Sequence, residues 1–269
     1  MVSFSVMPSY AAVAAELERI APTRLAAPWD CVGLLVSPRR GTIDRLMTCL
    51  TLTEAVAGEA VRERADLVVS HHPLPFRPVA RLTADGHVGR VLLTMVGGGA
   101  GIWSPHTAWD SAAGGINDQL AALLGLAHVS PIEPDAELPL AGFGRAGTAA
   151  AGETVGGLAR RAAAALGVSQ VQLVGDAARP AERVGIVCGS GGDAIPQVVH
   201  GGCRTLFTGE IKLHQAVEAE AAGLAVIAVG HHASERFSMD VLADRLATAF
   251  PGLTAWASRA ERDPLGWLA

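Results

Sequence analysis

The stretch Asp66-Leu67-Val68-Val69-Ser70-His71-His72-Pro73 constrains this chain more than any other. A short run of valine and leucine, bounded by Arg64 on one side and Pro73 on the other, reads as a strand buried on both faces, the habit of parallel sheets. The two histidines then fall at the carboxyl end of that strand. In open α/β sheets this is the side on which ligands bind, because the loops leaving the strand tips converge there. Neighbouring side chains on an extended chain point to opposite sides, so His71 and His72 are expected to serve two different ions rather than to clasp one. A lone histidine at a strand end is more often a hydrogen-bonded structural residue than a ligand, and what raises the odds here is company. Of the nine histidines, five lie in three short segments: His71-His72, His106-Thr107-Ala108-Trp109-Asp110 and His231-His232-Ala233-Ser234-Glu235. Two of these carry a carboxylate four residues after a histidine. If Ser234 and Glu235 begin a helix, His231 and Glu235 face the same way.

Half of the 269 residues are apolar, enough for one large core or two modest lobes. A net charge of -5 argues against general nucleic-acid binding and against an anionic membrane surface, since either would want a basic face. A small molecule or a protein is the expected partner. The mean hydropathy of +0.32 comes from alanine, valine and leucine spread among charged residues, with no apolar run long enough for a spanning helix. Met1-Val2-Ser3-Phe4-Ser5 lacks the basic start and apolar run of a signal peptide, so a cytoplasmic location is expected. Cys31, Cys49, Cys188 and Cys203 are irregularly spaced, without a Cys-x-x-Cys pair, and read as plain thiols. Lys212 is the only lysine; coding bias toward arginine is the plain explanation, a need for a compact ammonium the sharper one.

The chain alternates strands and helices. Val13, Leu17 and Ile20 lie at helical spacing between Pro8 and Ile20. Leu46 to Leu52 reads as a strand, with Thr53 capping the following helix. These and the strand at Asp66–Ser70 make a βαβ unit. Val88, Val91, Leu92, Met95 and Val96 mark a helix ended by Gly97-Gly98-Gly99, and Ile102–Ser104 a strand that delivers His106 and Asp110. Trp29-Asp30, seen alone, reads as a packed tryptophan and a capping aspartate. Asn117 is expected to cap a helix running to Leu124, and the proline-rich, acidic stretch from His128 to Pro139 to be a linker. Further on, Cys188-Gly189-Ser190-Gly191-Gly192-Asp193 reads as a tight turn first and a phosphate cradle second, with Asp193 at the helix cap. Glu210 and His214, four apart, are either an ion pair on a helix face or lining of one cleft. Leu224 to Val229 is the last expected strand, and Val241, Leu242, Leu246 and Phe250 mark a closing helix.

Six spaced motifs together carry a resemblance: Trp29-Asp30-x-Val32-Gly33-Leu34, Ser70-His71-His72-Pro73, His106-Thr107-x-x-Asp110, Gly114-Gly115-x-Asn117-Asp118, Thr208-Gly209-Glu210-Ile211-Lys212-x-His214 and Gly230-His231-x-x-Ser234-Glu235. In this order they resemble the NIF-three-like family, whose members are often called GTP cyclohydrolase I type 2 homologues. The resemblance implies two interlinked α/β lobes with a dinuclear metal site between them, residues 1–126 with 236–269 forming one and 127–235 the other, and a homohexamer. By the same resemblance, His72 and Asp110 would bind one divalent cation, His71 and His231 the other, and Glu235 would bridge both. Ser234 stands for the family's threonine, Cys31 for an asparagine, and Thr51 for an aspartate.

Imidazoles with carboxylates suit zinc, iron, manganese or cobalt and disfavour copper(I). Two such cations about 3.5 to 4 Å apart would hold a water and lower its pKa enough to supply hydroxide, so hydrolysis is the expected chemistry. The resemblance implies a nucleotide-like small molecule as the substrate, with ring opening of GTP as the reaction. His106, Glu210, Lys212 and His214 are the candidates to move protons or orient substrate. The rival expectation is a protein that stores or delivers metal, or a scaffold whose ions hold it together.

Overall fold

The computed structural model describes residues 7–266; Met1–Ser5, read above as lacking a leader, lies outside them. The first elements in chain order are α1 (Tyr10–Ile20), β1 (Gly33–Val36), β2 (Arg45–Cys49), α2 (Glu54–Arg62), β3 (Leu67–Ser70), α3 (His87–Gly98), β4 (Gly101–Ser104) and α4 (His106–Ser111). There follow α5 (Ile116–Leu123), β5 (Ala127–Ser130), β6 (Glu133–Pro134), β7 (Gly142–Phe143), β8 (Arg145–Thr148), α6 (Val155–Leu166), β9 (Gln172–Val174) and β10 (Arg183–Val187). The rest are α7 (Ile195–His200), β11 (Thr205–Thr208), α8 (Leu213–Ala221), β12 (Ala225–Ala228), α9 (His231–Glu235), α10 (Phe237–Ala249) and β13 (Thr254–Ala257). The described residues form two compact units, 7–109 with 238–262 and 110–237 with 263–266.

The first unit is built on a five-stranded sheet in the order β1-β4-β3-β2-β13. Strands β13, β2, β3 and β4 run parallel, and β1 closes the edge antiparallel to β4. The residues of β3 are buried throughout, as the unbroken apolar run required. Thr53 caps α2 by accepting from the Val56 amide, and Gly99 ends α3 with φ 79, the left-handed turn that favours glycine. Val56, Ala57 and Ala60 of α2 and Val91, Leu92 and Met95 of α3 pack in one cluster on Met47, Val68 and Ile102 of the sheet. Each large aliphatic side chain buried in this way contributes roughly 1.5–3 kcal/mol.

The second unit has a six-stranded sheet, β5-β8-β10-β11-β12-β9, whose centre β10-β11-β12 is parallel and whose remaining strands pair antiparallel. Ile195 and Val198 of α7 and Ala219 of α8 pack on Leu206 and Val226. The stretch expected to be a linker is not one: Ala127–Ser130 is the edge strand β5, and Glu133–Pro134 pairs with Gly142–Phe143. Its strand residues are all exposed, so it carries no burial period for the sequence to display. Asn117 does not cap α5 either. Gly115 holds that position, and Asn117 is buried, donating to the Asp110 carbonyl and accepting from the Cys188 amide. No helix among the described residues is long and apolar enough to cross a membrane.

Candidate metal centre

Parallel strands place their carboxyl ends on one edge, and in each unit the candidate residues leave from that edge. In the first unit, β3 delivers His71 and His72 and β4 delivers His106. One nitrogen from each of the three rings lies within 4.8 Å of the others. The adjacent histidines do not point to opposite sides: their ring centroids are 5.2 Å apart and their planes are tilted by 50°, so they stand beside each other as separate donors. Ser70 is the last strand residue, so the alternation of an extended strand no longer governs the two that follow. His106, expected as a proton carrier, stands beside them with centroids 5.2 Å from His71 and 5.6 Å from His72.

His106 is held from behind. Asp30 Oδ1 lies 2.7 Å from its Nδ1, while Asp30 Oδ2 accepts from the Thr107 amide at 3.1 Å and from the Thr107 hydroxyl at 2.5 Å. Burial pushes the Asp30 carboxyl up, but His106, Thr107 and the Cys31 amide outweigh it and hold the group down at about 2. His106 itself has φ 29, an unusual conformation for a side-chain-bearing residue and one that clusters at functional sites. The packed tryptophan and capping aspartate expected at Trp29-Asp30 are therefore corrected. Trp29 is 64 % exposed, and Asp30 orients a histidine far along the chain. The sequence signal was the pairing of Trp29-Asp30 with His106-Thr107 among the six motifs.

In the second unit, β10, β11 and β12 end at Cys188-Gly189, Gly209-Glu210 and Gly230-His231. Helix α9 begins at His231, earlier than expected, and its single turn sets His231 Nε2 3.2 Å from Glu235 Oε2. Glu210 Oε1 lies 3.2 Å from His231 Nδ1. Burial lowers His231, yet Glu235 and Glu210 outweigh it and raise the imidazole to about 9. Glu210 does not pair with His214: α8 starts only at Leu213, so the four-residue spacing does not lie on one helix. Its other partner is the Ser190 hydroxyl. Lys212 and His214 are exposed at the start of α8, and neither is joined to Glu210, His231 or Glu235 by a hydrogen bond or ion pair among the described residues.

The glycine loop after β10 serves this cluster. Gly189 has φ +61, and a Cβ there would come within 2.3 Å of Glu235 Oε1, so both conformation and space demand glycine. The Gly189 amide donates to Ser234 Oγ, which in turn donates to the His231 carbonyl. The amides of Cys188 and Gly191 donate to Asn117 and Thr208. The loop is thus a tight turn in which the amides of Cys188, Gly189 and Gly191 are already engaged. Asp193 is not a cap but accepts from Gln215. Asp110 hydrogen-bonds Cys188, and burial followed by the charges of Asp110 and Glu235 pushes the Cys188 thiol well up.

The donor chemistry fits a divalent cation. Three imidazoles converge in one unit, and in the other a buried glutamate faces an imidazole with a second carboxylate, Asp110, by the same thiol. Burying carboxylates together is costly unless positive charge is supplied.

Residues 9–264 match the model of the family described as Duf34/NIF3 (NGG1p interacting factor 3). A protein of Clostridium perfringens named GTP cyclohydrolase 1 type 2 homolog is 32 % identical over 81 % of this chain and 84 % of its own. NIF3-like protein 1 of Drosophila melanogaster is 32 % identical over 95 % of this chain and 88 % of its own. In fold, a Bacillus cereus protein related to NIF3 superposes with a TM-score of 0.89 at 20 % identity, over 98 % of this chain and all of that one. With the motifs, the mixed α/β architecture and a match across nearly the whole length in agreement, this chain belongs to the Duf34/NIF3 family.

Proposed function

We propose that this protein is a metal-dependent hydrolase acting on a nucleotide-like small molecule, with two divalent cations per chain held by His71, His72, Asp110, His231 and Glu235. The observation that carries it is the gathering of three imidazoles within 4.8 Å at the tips of β3 and β4. The family resemblance supports the pairing of His72 with Asp110, of His71 with His231, and of Glu235 with both cations. Zinc, iron, manganese or cobalt suits such donors. When bound, divalent cations supply Lewis acidity and lower the pKa of water, the general requirement for hydrolysis near neutrality.

The chain's own residues have separate tasks. Asp30 keeps the His106 ring turned toward His71 and His72, where it either adds a donor or carries a proton. Glu210 braces His231 at Nδ1, leaving Nε2 toward Glu235. Lys212 and His214, exposed and unencumbered by that pair, are proposed to orient an anionic substrate group. The names of the relatives make ring opening of a purine nucleotide the reaction to try first. A homohexamer in the cytoplasm is part of the same proposal, resting on the family resemblance.

The test is full-length protein loaded with zinc, iron, manganese or cobalt in turn and challenged with a nucleotide panel, alongside Glu235→Ala. Turnover that depends on metal and is lost in the variant upholds the proposal. Tight metal binding with no turnover across the panel would instead indicate storage, delivery or a scaffold. Sedimentation of the same preparations reads the oligomer.

A further inference from the structure

His72, half-buried, is anchored at its amide, its carbonyl and its ring. Its amide donates to the Leu50 carbonyl at 2.8 Å, its carbonyl accepts from Ser70 Oγ at 2.8 Å, and its ring Nδ1 lies 2.8 Å from Thr51 Oγ1. Thr51 is held in turn by the far end of the chain. Glu261 accepts from the Thr51 amide at 2.6 Å through Oε1 and from the Leu50 amide at 3.0 Å through Oε2. Glu261 is itself fixed by the segment before it, where the Ser258 amide donates to the Thr48 carbonyl and the Arg259 and Ala260 amides donate to buried Glu59. The segment after β13 therefore crosses the carboxyl end of β2 as a strap, and its last anchor sits one residue-to-residue step from a candidate ligand.

A neutral imidazole carries one N–H and one lone pair, and it can ligate only through the nitrogen that lacks the proton. A hydroxyl oxygen accepting from Nδ1–H selects the tautomer in which Nε2 is free to donate its lone pair, and it fixes the ring plane as well. We propose that Thr51 and Glu261 are positioning residues for His72: Thr51 accepts from Nδ1–H, and Glu261 clamps the backbone that carries the threonine, so that Nε2 is presented to a cation. This rests on the metal-binding reading above. It also gives Thr51, which stands where relatives are expected to carry an aspartate, a definite task with a neutral acceptor in place of a charged one.

The test compares full-length wild type, Thr51→Val, Thr51→Ser and Glu261→Gln by zinc affinity in competition with a chromogenic chelator. The tautomer of His72 in metal-free wild type and Thr51→Val is read by nitrogen-15 NMR. Thr51→Val is expected to weaken zinc binding about 10-fold, the lower end of what loss of such a partner costs. Thr51→Ser should bind within a few-fold of wild type, and Glu261→Gln, which keeps one acceptor oxygen, should fall between. His72 should hold its proton on Nδ1 in wild type and lose that preference in the valine variant. Equal affinity in wild type and Thr51→Val, or a serine variant as weak as the valine one, overturns the relay. If wild type binds no zinc, the metal-binding reading fails, and the NMR result alone then decides whether Thr51 sets the tautomer. Should Glu261→Gln not fold, the two threonine variants carry the test.

Discussion

Asp30 is the residue on which the imidazole cluster most visibly depends. Its two oxygens divide the work: one faces His106 Nδ1, while the other takes the amide and hydroxyl of Thr107. Asn at this position keeps the shape but offers one acceptor where two are in use. Asp30→Asn is therefore expected to lower zinc affinity about 10-fold in a chelator competition, with little change in the far-ultraviolet spectrum. Gly189 makes a second case. A methyl group placed there meets Glu235 Oε1 and forces a side-chain-bearing residue to φ +61. Gly189→Ala should cost about 1–3 kcal/mol in urea unfolding and displace the one carboxylate expected to serve both cations. Neither role was legible from composition or periodicity. Asp30 and His106 are 76 positions apart, and a carboxylate that orients a remote ring leaves no local pattern. The histidines were legible because they end apolar runs, and His231 with Glu235 because a helical turn fixes which residues meet.

At the scale of elements, one buried carboxylate gathers most of the hydrogen bonds at the start of the strap after β13. Glu59, 4 % exposed, accepts from Ser258 Oγ, the Arg259 and Ala260 amides and Trp256 Nε1. Burial pushes its carboxyl up, but these four donors outweigh it, and the group stays below its ordinary 4.5. A carboxyl lowered on folding contributes stability that is fully present above the unfolded value and disappears as pH falls through the folded one. Stability should accordingly drop below about pH 4.5, and Glu59→Gln should flatten that part of the curve while costing about 1–3 kcal/mol at pH 7. Urea titrations across acid pH measure both; a variant whose acid limb parallels wild type would refute the assignment. The strap and β13 were invisible in the sequence for a reason that β5 shares. Helices α1, α2 and α3 and strand β3 bury whole faces and so print their period on the chain. An edge strand with every residue exposed, or a segment pinned by a few hydrogen bonds, buries too little to do so.

For the whole molecule, the decisive question is whether the two clusters serve one centre or two. The candidate ligands run from His71 to Glu235, and an unfolded chain cannot gather groups so far apart. Metal bound only by the folded form stabilises it by mass action, about 2.7 kcal/mol at a hundredfold excess over Kd. For a chain of this size that is a rise in Tm of roughly 5–10 °C, lost on adding a chelator. His71 belongs to the first unit and Glu235 to the second. If each unit bound its own cation independently, His71→Ala and Glu235→Ala would each leave the other unit's share of the gain, and the double variant would remove the sum. If donors from both units complete a single dinuclear centre, as proposed, Glu235→Ala removes nearly the whole gain by itself and His71→Ala adds little to it. Thermal scans of wild type, both single variants and the double variant, with zinc and with chelator, separate the two arrangements, and additive losses would count against the shared centre.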